Sequence, residues 1–151
     1  MKHAALAALL LLATAGQAAA QQVDLVPPGW TRLPDDANQP GPRYASPDGR
    51  GVMLGYASSA DRPIQAEMDA IAFRDGERIT YQRRARSWIA VSGYRGDRIF
   101  YRKSNLACGG KRWHHVALEY PATDKRKMDR IVTWIAHGMN RYDTCRRGAK
   151  R

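Results

Sequence analysis

Residues 111–140 read KRWHHVALEYPATDKRKMDRIVTWIAHGMN, and the hydrophobic period changes once along them. Before Pro121 it is two: Val116, Leu118 and Tyr120 alternate with Ala117 and Glu119, the pattern of a strand with one face on a core. After Pro121 it becomes helical: Met128, Ile131, Val132, Ile135 and Met139 fall within about 100° of arc at 100° per residue. Thr123 or Asp124 is positioned to open this helix, and Gly138 is an interior weak spot costing about 1 kcal/mol relative to Ala. A strand followed at once by an amphipathic helix on the same core is the nucleus of an α+β domain.

Working back from residue 111, Cys108-Gly109-Gly110-Lys111 reads as a turn, preceded by a strand carrying Ile99 and Tyr101. Gly93-Tyr94-Arg95-Gly96-Asp97 reads as the turn before that. The dense run 88–91 and a strand with Ile79, Tyr81 and Ala85 on one face lie further upstream. Gly-containing connections between such runs predict an antiparallel meander of three long strands. A first helix is expected after Asp61, which can cap it, with Pro63 in its first turn. Ile64, Met68 and Ile71 give that helix its apolar face, and Gly76 suits the left-handed position past its end. Pro- and Gly-rich turns surround a short strand at residues 30–33, and Ser46-Pro47-Asp48-Gly49 joins runs 42–45 and 51–58 into a hairpin.

At the N-terminus, Met1-Lys2-His3, an apolar run over residues 4–13 and Ala18-Ala19-Ala20 have the layout of a secretory signal peptide over residues 1–20. The apolar run is too short to span a bilayer, which takes about 20 residues. Residues 21–151 then form one domain with a basic tail at 146–151, placed in the periplasm or secreted. Cys108 and Cys145 are the chain's only cysteines. An even count in an oxidising compartment predicts one disulfide, closing a loop worth roughly 4 kcal/mol in the chain-entropy model.

The 25 Lys and Arg outnumber 14 Asp and Glu. A surface this cationic favours anionic partners. Four Trp and seven Tyr can build a core, which argues against a disordered chain.

The order of elements resembles the PsbP-like fold, an α/β/α sandwich. Gly29-Trp30 in the opening strand, Asp97-Arg98-Ile99-Phe100-Tyr101 in the penultimate strand, Trp113 and the helix at 125–139 carry the resemblance. It spans nearly all of residues 21–151 and rests on element order. The resemblance implies a non-enzymatic binding or assembly role and carries over no functional residue. The chain is also similar to small secreted alphaproteobacterial proteins of unknown function.

Few residues suggest chemistry. Adjacent strand positions put His114 and His115 on opposite faces, His114 toward the core and His115 with Trp113, Ala117 and Glu119. No metal-ligand grid, phosphate loop or framed nucleophile is present, so no metal, cofactor or catalytic residue is assigned. Ser92 lacks a G-x-S-x-G frame, and Arg95-Gly96-Asp97 is explained by a turn. Opposite the core stripe of the long helix lie Arg126, Arg130, Thr133, His137 and Arg141, with Trp134 at the flank. Guanidinium groups in a row beside an indole can hold phosphate or carboxylate groups. Arg126, Arg130, Trp134, His137 and Arg141 are therefore the candidate binding residues.

The expectation is an exported, non-enzymatic accessory module that binds an anionic envelope component or a protein partner. Peripheral membrane contact fits this reading, specific nucleic-acid binding does not, and the oligomeric state is not written in the chain. The alternative is a small secreted hydrolase or transferase on an anionic substrate, using His115, Glu119 and nearby arginines.

Overall fold

The computed structural model describes residues 25–141, without the Arg141 side chain. Residues 1–20, expected to be a signal peptide, Cys145 and the expected tail at 146–151 lie outside the described residues. Seven strands form a single antiparallel sheet, with one helix on each face. The strands are β1 (Thr31–Arg32), β2 (Arg43–Ala45), β3 (Val52–Ser59), β4 (Arg78–Ala85), β5 (Trp88–Arg95), β6 (Arg98–Ala107) and β7 (Arg112–Pro121). The helices are α1 (Ile64–Ala72) and α2 (Lys125–Arg141). Strand order is β1-β2-β3-β7-β6-β5-β4. From β3 in mid-sheet the chain crosses through α1 to the far edge, then returns strand by strand until β7 lies beside β3. Val52 pairs with Glu119 and Ser59 with Arg112 at the ends of that junction. The α+β class, the early hairpin and the two helices are as the sequence predicts.

The period-two stretch holds four strands where three are expected. Trp88 to Val91 is the first half of β5, and the turn lies at Gly96 and Asp97, with Gly96 left-handed at φ 60°. Gly93, expected in that turn, sits inside β5, because a Cβ there would run into the Arg78 carbonyl of β4. A bulge between Ile79 and Tyr81 explains the close approach. It also splits the apolar face expected for β4: Ile79 packs on the core, while Tyr81 passes to the opposite face and is 46% exposed.

α1 also departs from expectation at both ends. Pro63, not Asp61, stands at its N-cap, with no side-chain cap bond. It stops at Phe73 in extended conformation, so Gly76, at φ 77°, serves the turn into β4 instead of capping the helix. Its buried face is Met68 and Ala72 with Ile71 alongside; Ile64 is 42% exposed.

The pleat sorts the core into two layers. Below the sheet, Met68 and Ala72 pack on Ile89, Val91, Phe100 and Trp113. Above it, Met128, Ile135 and Met139 pack with Val116, Leu118, Tyr120, Ile99 and Tyr101, and Ile131 and Val132 line the margin. α2 enters through a 3-10 turn over Ala122–Asp124, again without a side-chain cap bond from Pro121. Gly138 is where the N-terminal segment crosses α2: a Cβ there would lie 2.5 Å from Leu25 Cδ2. The open edge of β4 carries Arg78, Arg83 and Arg84, and such charge discourages pairing with another sheet edge.

Candidate functional site

α2 turns one side to the core, so the residues opposite it face solvent. Arg126, Arg130, Thr133, Trp134 and His137 are all exposed, Trp134 at 44%. Arg126 and Arg130 make no ion pair among the described residues, whereas Lys125 pairs with Asp129 and Lys127 with Asp48. The Arg141 side chain lies outside the described residues. The stripe is an outer helix face, and Asp129, Arg130, Thr133 and Trp134 border a shallow depression on it.

The two β7 histidines are both buried, on opposite faces. His114 sits on the α2 side with Val116. His115, on the α1 side, is held by two hydroxyls at 2.8 Å, Ser58 on Nε2 and Ser104 on Nδ1. Its ring stacks on Tyr56 with centroids 4.4 Å apart. Burial, with smaller contributions from His114 and Arg74, pushes the imidazole down to about 4. It is therefore neutral at physiological pH, and both ring nitrogens are occupied.

Glu119 is four residues along the same face, about 13 Å away at the strand rise of 3.3 Å. Arg95 and Arg98 hold its carboxylate at 3.1 and 2.8 Å. The acid/base pair of the enzyme alternative therefore does not come together. No group of three or more His, Cys, Asp or Glu that could hold a metal occurs among the described residues. No described helix is long and apolar enough to cross a membrane.

A second basic surface lies beneath the sheet, and no sequence motif announces it. α1 is only nine residues long and covers one end of its face. The uncovered end is a shallow basin of about 380 Å³. Its floor comes from alternate residues of neighbouring strands, Val52 and Leu54 of β3 and Ala117 of β7, with Leu54 opposite Ala117. Its rim carries Arg43, Arg74, Arg95, Arg98 and Arg102, with Gln39 and Glu119 among them.

These guanidinium groups are not equally engaged. Arg102 is buried, with Nη2 2.7 Å from Glu77 Oε2 and further bonds to the Ile71 and Ala72 carbonyls. Burial alone would raise the Glu77 carboxyl, but hydrogen bonds from Arg102 and Arg95 outweigh it and hold it below the ordinary value. Arg98 donates to Glu119 and to the Arg50 carbonyl. Arg43 reaches Asp36 at 3.6 Å. Arg74, just past α1, is exposed and makes no ion pair among the described residues. Five arginines thus face three carboxylates, leaving a cationic excess over an apolar floor.

No cysteine among the described residues is free, and Cys108 lies in the left-handed turn between β6 and β7. Its expected partner, Cys145, is outside the described residues. No protein-family model matches the chain, and no curated protein matches it in sequence. The site therefore stands on its own geometry.

The basin eluded the sequence because its arginines span residues 43 to 102 and converge only when β3, β6 and β7 pair. Arg98 and Arg102 alternate with Ile99 and Tyr101, and that alternation is the one local signal of a cationic face.

Proposed function

We propose that the protein is an exported, non-enzymatic binding module for an anionic component of the cell envelope, and that the arginine basin is its binding face. One observation carries this: guanidinium groups from five separate positions ring an apolar floor that α1 leaves open. Excess cationic charge at a concave, partly desolvated surface attracts anions more strongly than the same charge spread on a convex one. Bidentate arginine contacts suit phosphate and carboxylate groups. The two helices on opposite faces of one antiparallel sheet support the PsbP-like resemblance, and with it a binding role.

The outer face of α2 is the second reading, favoured by exposed Trp134 beside Arg130, which makes no ion pair among the described residues. One experiment separates them. Sedimentation with phosphatidylglycerol vesicles, against phosphatidylcholine vesicles, should show binding that weakens steeply with salt, because exposed charges are screened over about 8 Å at physiological ionic strength. Arg43→Gln with Arg74→Gln should reduce that binding far more than Arg126→Gln with Arg130→Gln. The opposite order places the binding face on α2, and equal losses leave net charge alone as the cause.

A further inference from the structure

We infer that the basin's ligand is a single-headed anionic amphiphile, with a phosphate or carboxylate head on the arginine rim and a short apolar chain on the floor of Val52, Leu54 and Ala117. This rests on the binding reading above and names the ligand's chemistry.

The floor is the first argument. An antiparallel sheet with a solvated face ordinarily turns polar residues outward. Here three neighbouring positions on the uncovered half are apolar and half-buried. Covering such surface is favourable by about 25 cal/mol per Å². α1 cannot do so, because it ends at Ala72 and packs over Ile89, Val91, Phe100 and Trp113. Inorganic anions would leave the floor wet, whereas an alkyl chain would cover it.

The rim is the second argument. Arg74 has no carboxylate partner among the described residues, and Arg98 shares its one carboxylate partner there, Glu119, with Arg95, which also bonds Glu77 at 2.7 Å. An anionic head gains charge-assisted hydrogen bonds there without breaking the buried Arg102 pair with Glu77. A cationic or zwitterionic head would place an ammonium among guanidinium groups. Size is the third argument: about 380 Å³ is near the lower end of small-ligand sites, which run from roughly 300 to 1,000 Å³. A head and a short chain fill it, and a polymer segment does not.

The test is calorimetric titration of the purified exported protein with four probes below their micellar concentrations: decyl phosphate, decanoate, inorganic phosphate and decyltrimethylammonium. One or both anionic amphiphiles should saturate at one per chain, at least about tenfold more tightly than inorganic phosphate, equivalent to ~1.4 kcal/mol. Arg74→Gln should weaken the amphiphile about tenfold, a change of ~1.4 kcal/mol. Leu54→Gln should weaken the amphiphile and leave inorganic phosphate unchanged. Unaltered thermal melts would show that both variants fold, and Arg83→Gln, at the exposed edge of β4, should change nothing. Inorganic phosphate binding as tightly as decyl phosphate, with the loss on Arg74→Gln retained, would overturn the amphiphile and leave the anion-binding reading standing. Equal binding of the cationic amphiphile would overturn it as mere adsorption. Anion binding indifferent to both basin substitutions would overturn the inference and the basin reading together.

Discussion

Arg102 and Lys103 are neighbours in β6, and each bonds backbone carbonyl oxygen of a different helix on a different face of the sheet. Arg102 donates to the Ile71 and Ala72 carbonyls of α1. Lys103 donates to the Ala136 carbonyl of α2 at 2.8 Å and to Asn140 Oδ1 at 2.6 Å. Strand alternation sends consecutive side chains to opposite faces, so one dipeptide ties both layers to the central sheet. Arg102, at the last carbonyls of α1, also meets the negative end of that helix's dipole.

Removing either cation should be costly, and unequally so. Arg102→Met leaves Glu77 buried with Arg95 as its one ion-pair partner among the described residues, and breaking a buried pair costs about 3–5 kcal/mol. Lys103→Met loses two charge-assisted bonds, and one such bond is worth roughly 1.5–3 kcal/mol. Urea melts should rank Arg102→Met as the more destabilised, and Arg102→Met with Glu77→Gln should recover part of its loss. A melt for Arg102→Met matching the unaltered protein would deny the buried pair any structural role.

Acid should destabilise the protein partly through His115. Its folded value of about 4 lies below the ordinary imidazole value of 6.5. Between those values the unfolded chain binds a proton that the folded chain refuses, so stability falls as pH drops from 6.5 toward 4. The displacement corresponds to about 3 kcal/mol across that window. His115→Gln should flatten this part of the pH profile, measured by urea melts at several pH values. Glu77, held below its ordinary value, adds a loss at lower pH, as its carboxylate protonates.

Ile135 is fully buried between α2 and the sheet. Ile135→Ala should cost roughly 2–4 kcal/mol, as large-to-small core changes do. A loss under about 0.5 kcal/mol would be the behaviour of a surface position and would contradict the packing of α2 described above.

Gly138 tests tertiary packing against helix propensity. In isolation, Gly138→Ala should stabilise α2 by about 1 kcal/mol. In the fold the new methyl meets Leu25, and overpacking costs about 1–3 kcal/mol, so no gain is expected. In a Leu25→Ala background the gain should reappear. A clear gain in the unaltered background would show that Leu25 yields freely.

Under the proposed export, the mature protein should begin at Gln21 and join Cys108 to Cys145. Intact mass before and after reduction and alkylation checks both points. Two alkylatable thiols in unreduced material would remove the disulfide, and mass retained for residues 1–20 would remove the cleavage.

Periodicity made both layers of the fold readable because it reports which side of an element meets the core, whatever that core is. Val116, Leu118 and Tyr120 declared a strand face, and Met128 through Met139 a helix face, from local spacing alone. Where backbones approach closely the same reading fails: local spacing puts Gly93 in a turn and Tyr81 on one face with Ile79, because the bulge that moves both arises only when β4 lies against β5. The outer stripe of α2 was equally readable, being one helix seen from its other side. Composition, too, declared a cationic protein. That Arg43, Arg74, Arg95, Arg98 and Arg102 encircle one floor was decided by tertiary structure, since β7 must return beside β3 to bring them together. So was the uncovered state of that floor, which follows from the length of α1 relative to the sheet it crosses.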